Sequence, residues 1–484
     1  MKNFLYAIFF LPSFLSAQSI SDHPRLREAI NLLELWLDAQ QAYEEIPGIS
    51  AGVVYDQELI WSKGFGYADL ENRVPATPQT IYSICSISKL FTSIGVMQLR
   101  DEGKLDLDDP VSEHIPWLRI KQLYPEGPPA TIQGLLTHSA GLPRETGQPY
   151  WSAPDFDFPT RDKILEEIGD QEMLYPSYST FQYSNLGMTL AGELIIQHTD
   201  QSYEDYVTTH IMEPLKLANT RPELPEAMWG NELATGYSAI RRTGDREKVP
   251  FFQARGIAPA AGYSSTVEDL AKFASWQFRL LESNEEEILN PNTLLEMYRV
   301  HWLEPDWSVA WGLGFTVWKG EDKRFVGHGG SCPGYRTHLL IQPEKKISTI
   351  FLSNAMGVSP NFHTGKIYEI IAPAIEKAKK AMESEEAAEQ KEDHPEWKKY
   401  CGIYDAWPWG GETAVVMWEG ELALLSLPSQ DPLEGLVKLK HDEGHVFRRI
   451  RKDKELGETL RFEVDASGAV TKMWWNSNFR KKLR

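Results

Sequence analysis

Thr80-Ile81-Tyr82-Ser83-Ile84-Cys85-Ser86-Ile87-Ser88-Lys89-Leu90-Phe91, running on to Gly103, is the stretch around which the rest of the chain is organised. Ile87, Leu90, Phe91, Ile94, Met97 and Leu99 recur roughly three or four apart, so the spacing predicts a helix with a buried face, opened by Ser86. Lys89 falls one turn after Ser86 on the same face. A serine hydroxyl is a weak nucleophile until a base takes its proton. A lysine amine is such a base only when neutral, and both the positive end of a helix and burial disfavour its ammonium form. The same spacing also fits an ordinary helix with a surface lysine, so the pair alone leaves two readings open.

The chain has 484 residues, of which 42% are hydrophobic and 24% charged. That is globular composition with ample core, enough for about two to four domains of ~100–200 residues. A formal net charge of −20 argues against nucleic acid or an anionic membrane surface as partner. Residues 1–17 have the layout of a secretory leader: Lys2, a short apolar run, then Leu15-Ser16-Ala17 before Gln18. The run is too short for a membrane anchor, so the expectation is export to a periplasm or the medium, with no transmembrane anchor. Three cysteines, an odd number, do not resemble a disulfide framework. Cys85 and Cys332 are therefore expected as small packing residues and not as a bridged pair.

Periodicity predicts helices over 21–43, 105–117, 131–136, 186–198, 266–281 and 362–382. Alternation predicts strands over 50–55, 59–66, 313–319, 324–328, 337–342 and 348–354. Residues 144–182 carry many rings and little periodicity, which fits either a lid over a substrate or a loop packed on its own aromatics. Residues 383–397 are charged and poor in apolar side chains, as in a solvated linker. Beyond them, short alternating runs separated by Glu419-Gly420, Glu443-Gly444 and Ser467-Gly468 predict a small antiparallel sandwich or barrel. The domain boundaries that follow are a leader at 1–17, a body at 18–382, a linker at 383–397 and a β-domain at 398–484. Trp407, Trp409, Trp418, Trp474 and Trp475 would either pack that β-domain or bind sugar rings.

Three motifs occur in order: Ser86-x-x-Lys89, Tyr183-Ser184-Asn185 and His328-Gly329-Gly330. Between them stand Leu135-Leu136-Thr137-His138-Ser139-Ala140-Gly141-Leu142, Gly262-Tyr263-Ser264-Ser265 and Trp311-Gly312-Leu313-Gly314. Together they resemble the serine β-lactamase and penicillin-binding-protein superfamily, in the branch of class C β-lactamases, D,D-carboxypeptidases, D-aminopeptidases and related esterases. The resemblance covers roughly residues 47–371. It implies an α/β (α+β) fold: a mainly antiparallel sheet flanked by helices, with a helical lobe and a cleft between them. By the same resemblance Ser86 is the nucleophile, Lys89 its proton acceptor and Tyr183 a phenolic partner in the base role. Asn185 would hold Lys89 or a substrate carbonyl. The backbone amides of Ser86 and Ser331 would form the oxyanion hole, and Gly329 and Gly330 would leave a strand edge bare for substrate. Where β-lactamases of this branch usually have Lys-Thr-Gly, this chain has His328-Gly329-Gly330, and a histidine is mostly uncharged near neutral pH.

Two functions remain at this stage. One is an exported serine hydrolase acting through an acyl-enzyme on an ester or peptide amide. The other is a silent protein of the same fold that binds peptidoglycan stems or glycans. No metal cluster, dinucleotide loop or phosphate loop is visible in the sequence, so no cofactor is expected.

Overall fold

The computed structural model describes residues 19–283, 285–320, 323–383 and 394–484. The expected leader at 1–17 and most of the expected linker lie outside the described residues. The strands of the first body are β1 (Gly48–Tyr55), β2 (Glu58–Asp69), β3 (Val74–Pro75), β4 (Tyr82–Ser83), β5 (Ser264–Ser265), β6 (Trp302–Leu303), β7 (Ala310–Trp311), β8 (Thr316–Lys319), β9 (Arg324–Cys332), β10 (Tyr335–Gln342) and β11 (Ile347–Ser353). Among the described residues, nine of them form one antiparallel sheet in the order β3-β2-β1-β11-β10-β9-β8-β7-β6, while β4 and β5 pair separately.

The helices are α1 (Pro24–Tyr43), α2 (Ser88–Asp101), α3 (Val111–His114), α4 (Ile132–Leu136), α5 (Arg161–Glu167), α6 (Asn185–His198), α7 (Tyr203–Val207), α8 (Ala258–Ala261), α9 (Val267–Ser283), α10 (Pro291–Met297) and α11 (Pro360–Glu383). Alternation along the central strands explains how both sheet faces are covered. In β11, Ile347 and Phe351 join a core with α1 and α11, whereas Ile350 and Leu352 join the core built on α2, α6 and α9. Helices α2, α6 and α8 contact one another as the helical lobe. This is the mixed fold that the resemblance implies.

Several local expectations need correction. The helix expected over 105–117 shrinks to α3, because Pro110 disfavours helical backbone at the residue before it. Asp109 instead ties a turn, accepting from the Asp106 N–H at 2.7 Å and pairing with His114 at 2.9 Å. The ring-rich segment 144–182 packs on itself: Tyr150, Trp151 and Phe158 cluster, and Phe158 stacks on Phe252 with centroids 5.1 Å apart. The strand expected to end at His328 continues to Cys332.

The C-terminal residues form β12 (Gly402–Asp405), β13 (Glu412–Trp418), β14 (Glu421–Leu427), β15 (Val437–Glu443), β16 (Val446–Ile450), β17 (Leu456–Val464), β18 (Val470–Trp475) and β19 (Asn478–Lys481), paired in sequence order. Of the two expected forms it is barrel-like. The Ile403 N–H donates to the Arg484 carbonyl at 2.9 Å and the Leu483 N–H to the Ile403 carbonyl at 2.7 Å, joining first strand to last. Val415, Met417, Leu422 and Leu424 point inward with Tyr404, Phe447 and Phe462. Their neighbours Ala414, Val416, Ala423 and Leu425 point outward and share a core with Trp36 of α1. Trp407 and Trp409 pack in neither core, being 82% and 88% exposed.

The barrel is thus fastened by apolar burial and by polar ties: the Trp36 indole donates to the Ser429 carbonyl at 2.8 Å, and Lys366 pairs with Asp431 at 2.7 Å. Removing residues 394–484 should expose this face and lower the thermal midpoint of the remaining body by several degrees. Scanning calorimetry of the truncated and full chains checks this, and an unchanged midpoint would show the two bodies to be independent.

Candidate active site

Ser86 does not open the long helix as its spacing predicts. It sits in a single 3-10 turn, Cys85–Ile87, that runs directly into α2. Cys85 takes the left-handed backbone region at φ +51°, uncommon for a residue with a side chain. Ser88 braces the turn from inside: its hydroxyl donates to the Cys85 carbonyl and accepts the Tyr263 N–H at 3.0 Å. Flanked by buried neighbours, Ser86 itself keeps partial exposure. Nucleophile and base candidates are therefore presented by a rigid corner and not by a free helix end.

Lys89 is fully buried. Its Nζ lies 3.2 Å from Ser86 Oγ, 2.9 Å from Asn185 Oδ1 and 2.7 Å from the Ala260 carbonyl. Burial holds the amine well below its usual range; the Glu145 carboxylate opposes this and Arg144 reinforces it. A neutral amine has two hydrogens and one lone pair. Asn185 Oδ1 and the Ala260 carbonyl accept both hydrogens, so the lone pair is left for the Ser86 hydroxyl.

The amide of Asn185 cannot flip out of this arrangement without loss. Its Nδ2 donates to both oxygens of Glu145 at 2.9 Å, which fixes Oδ1 toward Lys89. Of the two places the sequence allows it, Asn185 takes the one on the lysine. Glu145 in turn accepts from the buried Tyr150 hydroxyl and pairs with Arg144 at 3.2 Å.

Burial pushes the Tyr183 phenol above its ordinary value, against the opposing influence of the Ser86 side chain. Lys89 Nζ and the Arg144 guanidinium lie 4.8 and 4.9 Å from its ring centroid. The motif is held by a neighbouring loop. The Asn185 N–H donates to the Arg144 carbonyl at 2.7 Å, and the Ser184 N–H donates to His138 Nδ1 at 3.2 Å. Ser184 also caps α6, accepting the Gly187 N–H at 2.8 Å.

His328 lies on β9 in a ring cluster with Trp311 and Tyr183, at centroid distances of 5.4 and 6.4 Å. Burial, then the nearby Lys89, pushes its pKa down to about 3, so it is uncharged at any ordinary pH. Its Nδ1 donates to the Gly329 carbonyl at 2.6 Å, which leaves the lone pair on Nε2. Strand β8 pairs with β9 only as far as Gly327, so His328 to Cys332 are free of it along one edge. Gly330 does more than bare that edge. A Cβ there would meet the Ile84 carbonyl at 2.3 Å, so glycine is what lets the Ser86 corner press against the strand. Ser331 is exposed, and its hydroxyl accepts from Arg336 at 2.8 Å.

The two cysteines expected merely to pack are bridged. Cys85 and Cys332 form a disulfide with Cα atoms 5.7 Å apart, and Cys401 is the free thiol. An odd count over a long chain hides one close pair, because sequence separation says nothing about distance in the fold. Glu145 and Arg144 were missed as well, and His138, quoted only within a motif, was given no role. The signal for the first two was a charged pair directly after Gly141-Leu142-Pro143, with no periodicity to mark it. Among the described residues no group of His, Cys, Asp and Glu could hold a metal ion, and no helix is long and apolar enough to cross a membrane.

Comparison with known proteins accounts for this arrangement. The chain is 29% identical over 371 residues to Beta-lactamase-like protein 2 of Dictyostelium discoideum, covering 73% of this chain and 66% of that protein. It is 26% identical over 309 residues to Protein flp of Staphylococcus aureus (strain MW2), covering 64% of this chain and 60% of the other. The chain thus matches less than two thirds of the length of these curated relatives. Among solved structures, the octameric penicillin-binding protein homologue from Pyrococcus abyssi superposes with a TM-score of 0.63 at 26% identity, covering 93% of this chain and 99% of that one. A D-stereospecific amidohydrolase from Streptomyces sp. shares the fold with a TM-score of 0.57 at 23% identity, over 69% of this chain and 97% of that one. The family profile described as Beta-lactamase matches residues 34–372, and the chain belongs to that family.

Proposed function

We propose that this protein is an exported serine hydrolase that acts through an acyl-enzyme on an ester or a peptide amide, of esterase or D-amino-acid peptidase type. The observation that carries the proposal is the buried Lys89 amine, both of whose hydrogens have acceptors while its lone pair is left for Ser86 Oγ at 3.2 Å. In this mechanism Ser86 Oγ attacks the substrate carbonyl carbon and its proton passes to Lys89. Tyr183, whose ring lies 4.8 Å from Lys89 Nζ, relays a proton to the departing oxygen or nitrogen. The amides of Ser86 and Ser331 receive the oxyanion. Water then enters along the same path in reverse and frees the acid.

The substrate class follows from charge. His328 offers a neutral ring where a β-lactam carboxylate would want a fixed cation, and Arg144 is already balanced by Glu145. Esters, and amides whose carboxylate lies elsewhere, suit such a site. The fold shared with a D-stereospecific amidohydrolase keeps D-residue amides in the class. Export is supported by the leader-like residues 1–17 and by the Cys85–Cys332 bridge, since disulfides persist in oxidising compartments.

A fluorophosphonate should add its mass to the peptide containing Ser86, and Ser86→Ala should abolish labelling and turnover. Labelling elsewhere would overturn the assignment of Ser86, and no labelling at all would favour the silent binding protein. Lys89→Ala and Tyr183→Phe should each cost several orders of magnitude in kcat, and together little more, as groups acting as one unit do. Strictly multiplicative losses would separate their roles.

Lys89 also predicts a pH dependence of stability. Its folded pKa is depressed, so below about 10.4 the unfolded chain takes up a proton that the native state refuses. Stability relative to Lys89→Met should therefore rise with pH up to that value, by at most about 1.4 kcal/mol per pH unit. Urea unfolding of both proteins from pH 6 to 10 measures the slope, and a flat difference would mean that Lys89 is charged.

On substrates, kcat/KM for a cephalosporin should fall at least about two orders of magnitude below that for the best aryl ester or D-aminoacyl substrate, equivalent to ~2.7 kcal/mol of transition-state contact. Equal rates would overturn the role given to His328.

A further inference from the structure

The disulfide stands at a telling place. Cys85 immediately precedes Ser86, and Cys332 immediately follows Ser331. These two serines carry the amides assigned to the oxyanion hole, and the cysteines beside them are 247 residues apart in the chain. Both cysteines are buried, at 0% and 3% exposure. The corner is already pressed on the strand at the residue before, where Thr337 Oγ1 donates to the Ile84 carbonyl at 3.1 Å and Gly330 leaves no side chain between them. Left-handed backbone at a residue with a side chain, as at Cys85 (φ +51°), persists only where the surroundings hold it.

We propose that the Cys85–Cys332 bridge is a positioning device for the oxyanion hole, fixing the gap between the two donor amides so that turnover depends on the oxidised state. The proposal rests on Ser86 being the nucleophile. Oxyanion donors act on charge that develops only in the transition state, and they act well only when already in place. Loosening the gap should therefore slow the chemical step while leaving ground-state binding nearly intact. The oxidation state changes by a balanced exchange. A dithiol gives up two electrons and two protons, leaves as its own disulfide, and converts the bridge to two thiols. Cys401 does not compete, because burial raises its pKa to about 11 and leaves little thiolate.

The test uses the full chain in three forms: oxidised, reduced with a dithiol in mild urea and alkylated, and reduced then reoxidised without alkylation. Cys85→Ala/Cys332→Ala is the genetic counterpart. Turnover of a p-nitrophenyl ester is expressed per Ser86 titrated with a fluorophosphonate, which removes any unfolded fraction from the count. The expected result is a fall in kcat of about tenfold or more, short of the ~10²–10³ that outright removal of one donor costs. KM should stay within about threefold, as expected when an interaction made only in the transition state is lost, and reoxidation should restore the rate. Val416→Ala, on the barrel face, serves as a destabilised variant that leaves the site alone and should keep its kcat. Unchanged kcat in the reduced and double-alanine forms, or free thiols at both positions in air-purified protein, would overturn the proposal. So would an equal kcat loss in Val416→Ala, since stability alone would then explain it. Failure of the oxidised protein to label at Ser86 would instead overturn the hydrolase assignment on which it rests.

Discussion

A lysine amine without water around it is the constraint on which the rest of the site depends. Lys89 can be buried because three polar atoms receive it, and each comes from a different part of the fold: Ser86 from the turn, Asn185 from α6 and Ala260 from α8. Burying a charge without a paired partner is far costlier than burying a neutral amine. The same desolvation that makes the site expensive therefore favours the neutral amine, whose lone pair is free. Holding α2, α6 and α8 together is the condition for an amine buried in this way, which ties the packing of the helical lobe to the state of Lys89.

Around that amine the polar groups are ordered from inside outward. Asn185 is oriented by Glu145, and Glu145 by Tyr150 and Arg144. Of the outer two Tyr150 is buried and Arg144 exposed, so the charge that reaches the surface is already paired with Glu145. The neighbouring His328 adds no cation. The cleft presents hydrogen-bonding groups and rings more than net charge, despite a chain whose overall charge is −20.

How much of this was legible in the sequence varied with the range of the interaction. Ser86 and Lys89 lie one turn apart, so local spacing carried their relation. The central strands were legible from period two and the long helices from their apolar faces. Tyr183, Asn185 and His328 were found only as motifs in order, since nothing local brings them to Lys89. The failures have physical causes too. Residues 105–117 looked helical until Pro110 and the Asp109 turn are counted. Cys85 and Cys332 meet only because β9 runs beside the Ser86 turn, a fact of topology that no window of sequence contains. Glu145 acts through another side chain, and such residues leave no periodic trace. In the β-domain, alternation showed two kinds of face but could not show that the outer one rests on α1.

The two glycines after His328 differ in what they permit. At Gly330 the nearest backbone neighbour of an added carbon is 2.3 Å away, whereas at Gly329 the nearest atom is a ring carbon of His338 at 3.3 Å, a buried side chain hydrogen-bonded to Thr364 of α11. One position is frozen by the corner that carries Ser86, and its neighbour on the same strand faces α11 across the sheet. Divergence within this scaffold therefore has no ready entry at either glycine, since one is closed by the Ser86 corner and the other looks away from it. A mutational library aimed at the cleft has reason to leave both positions alone.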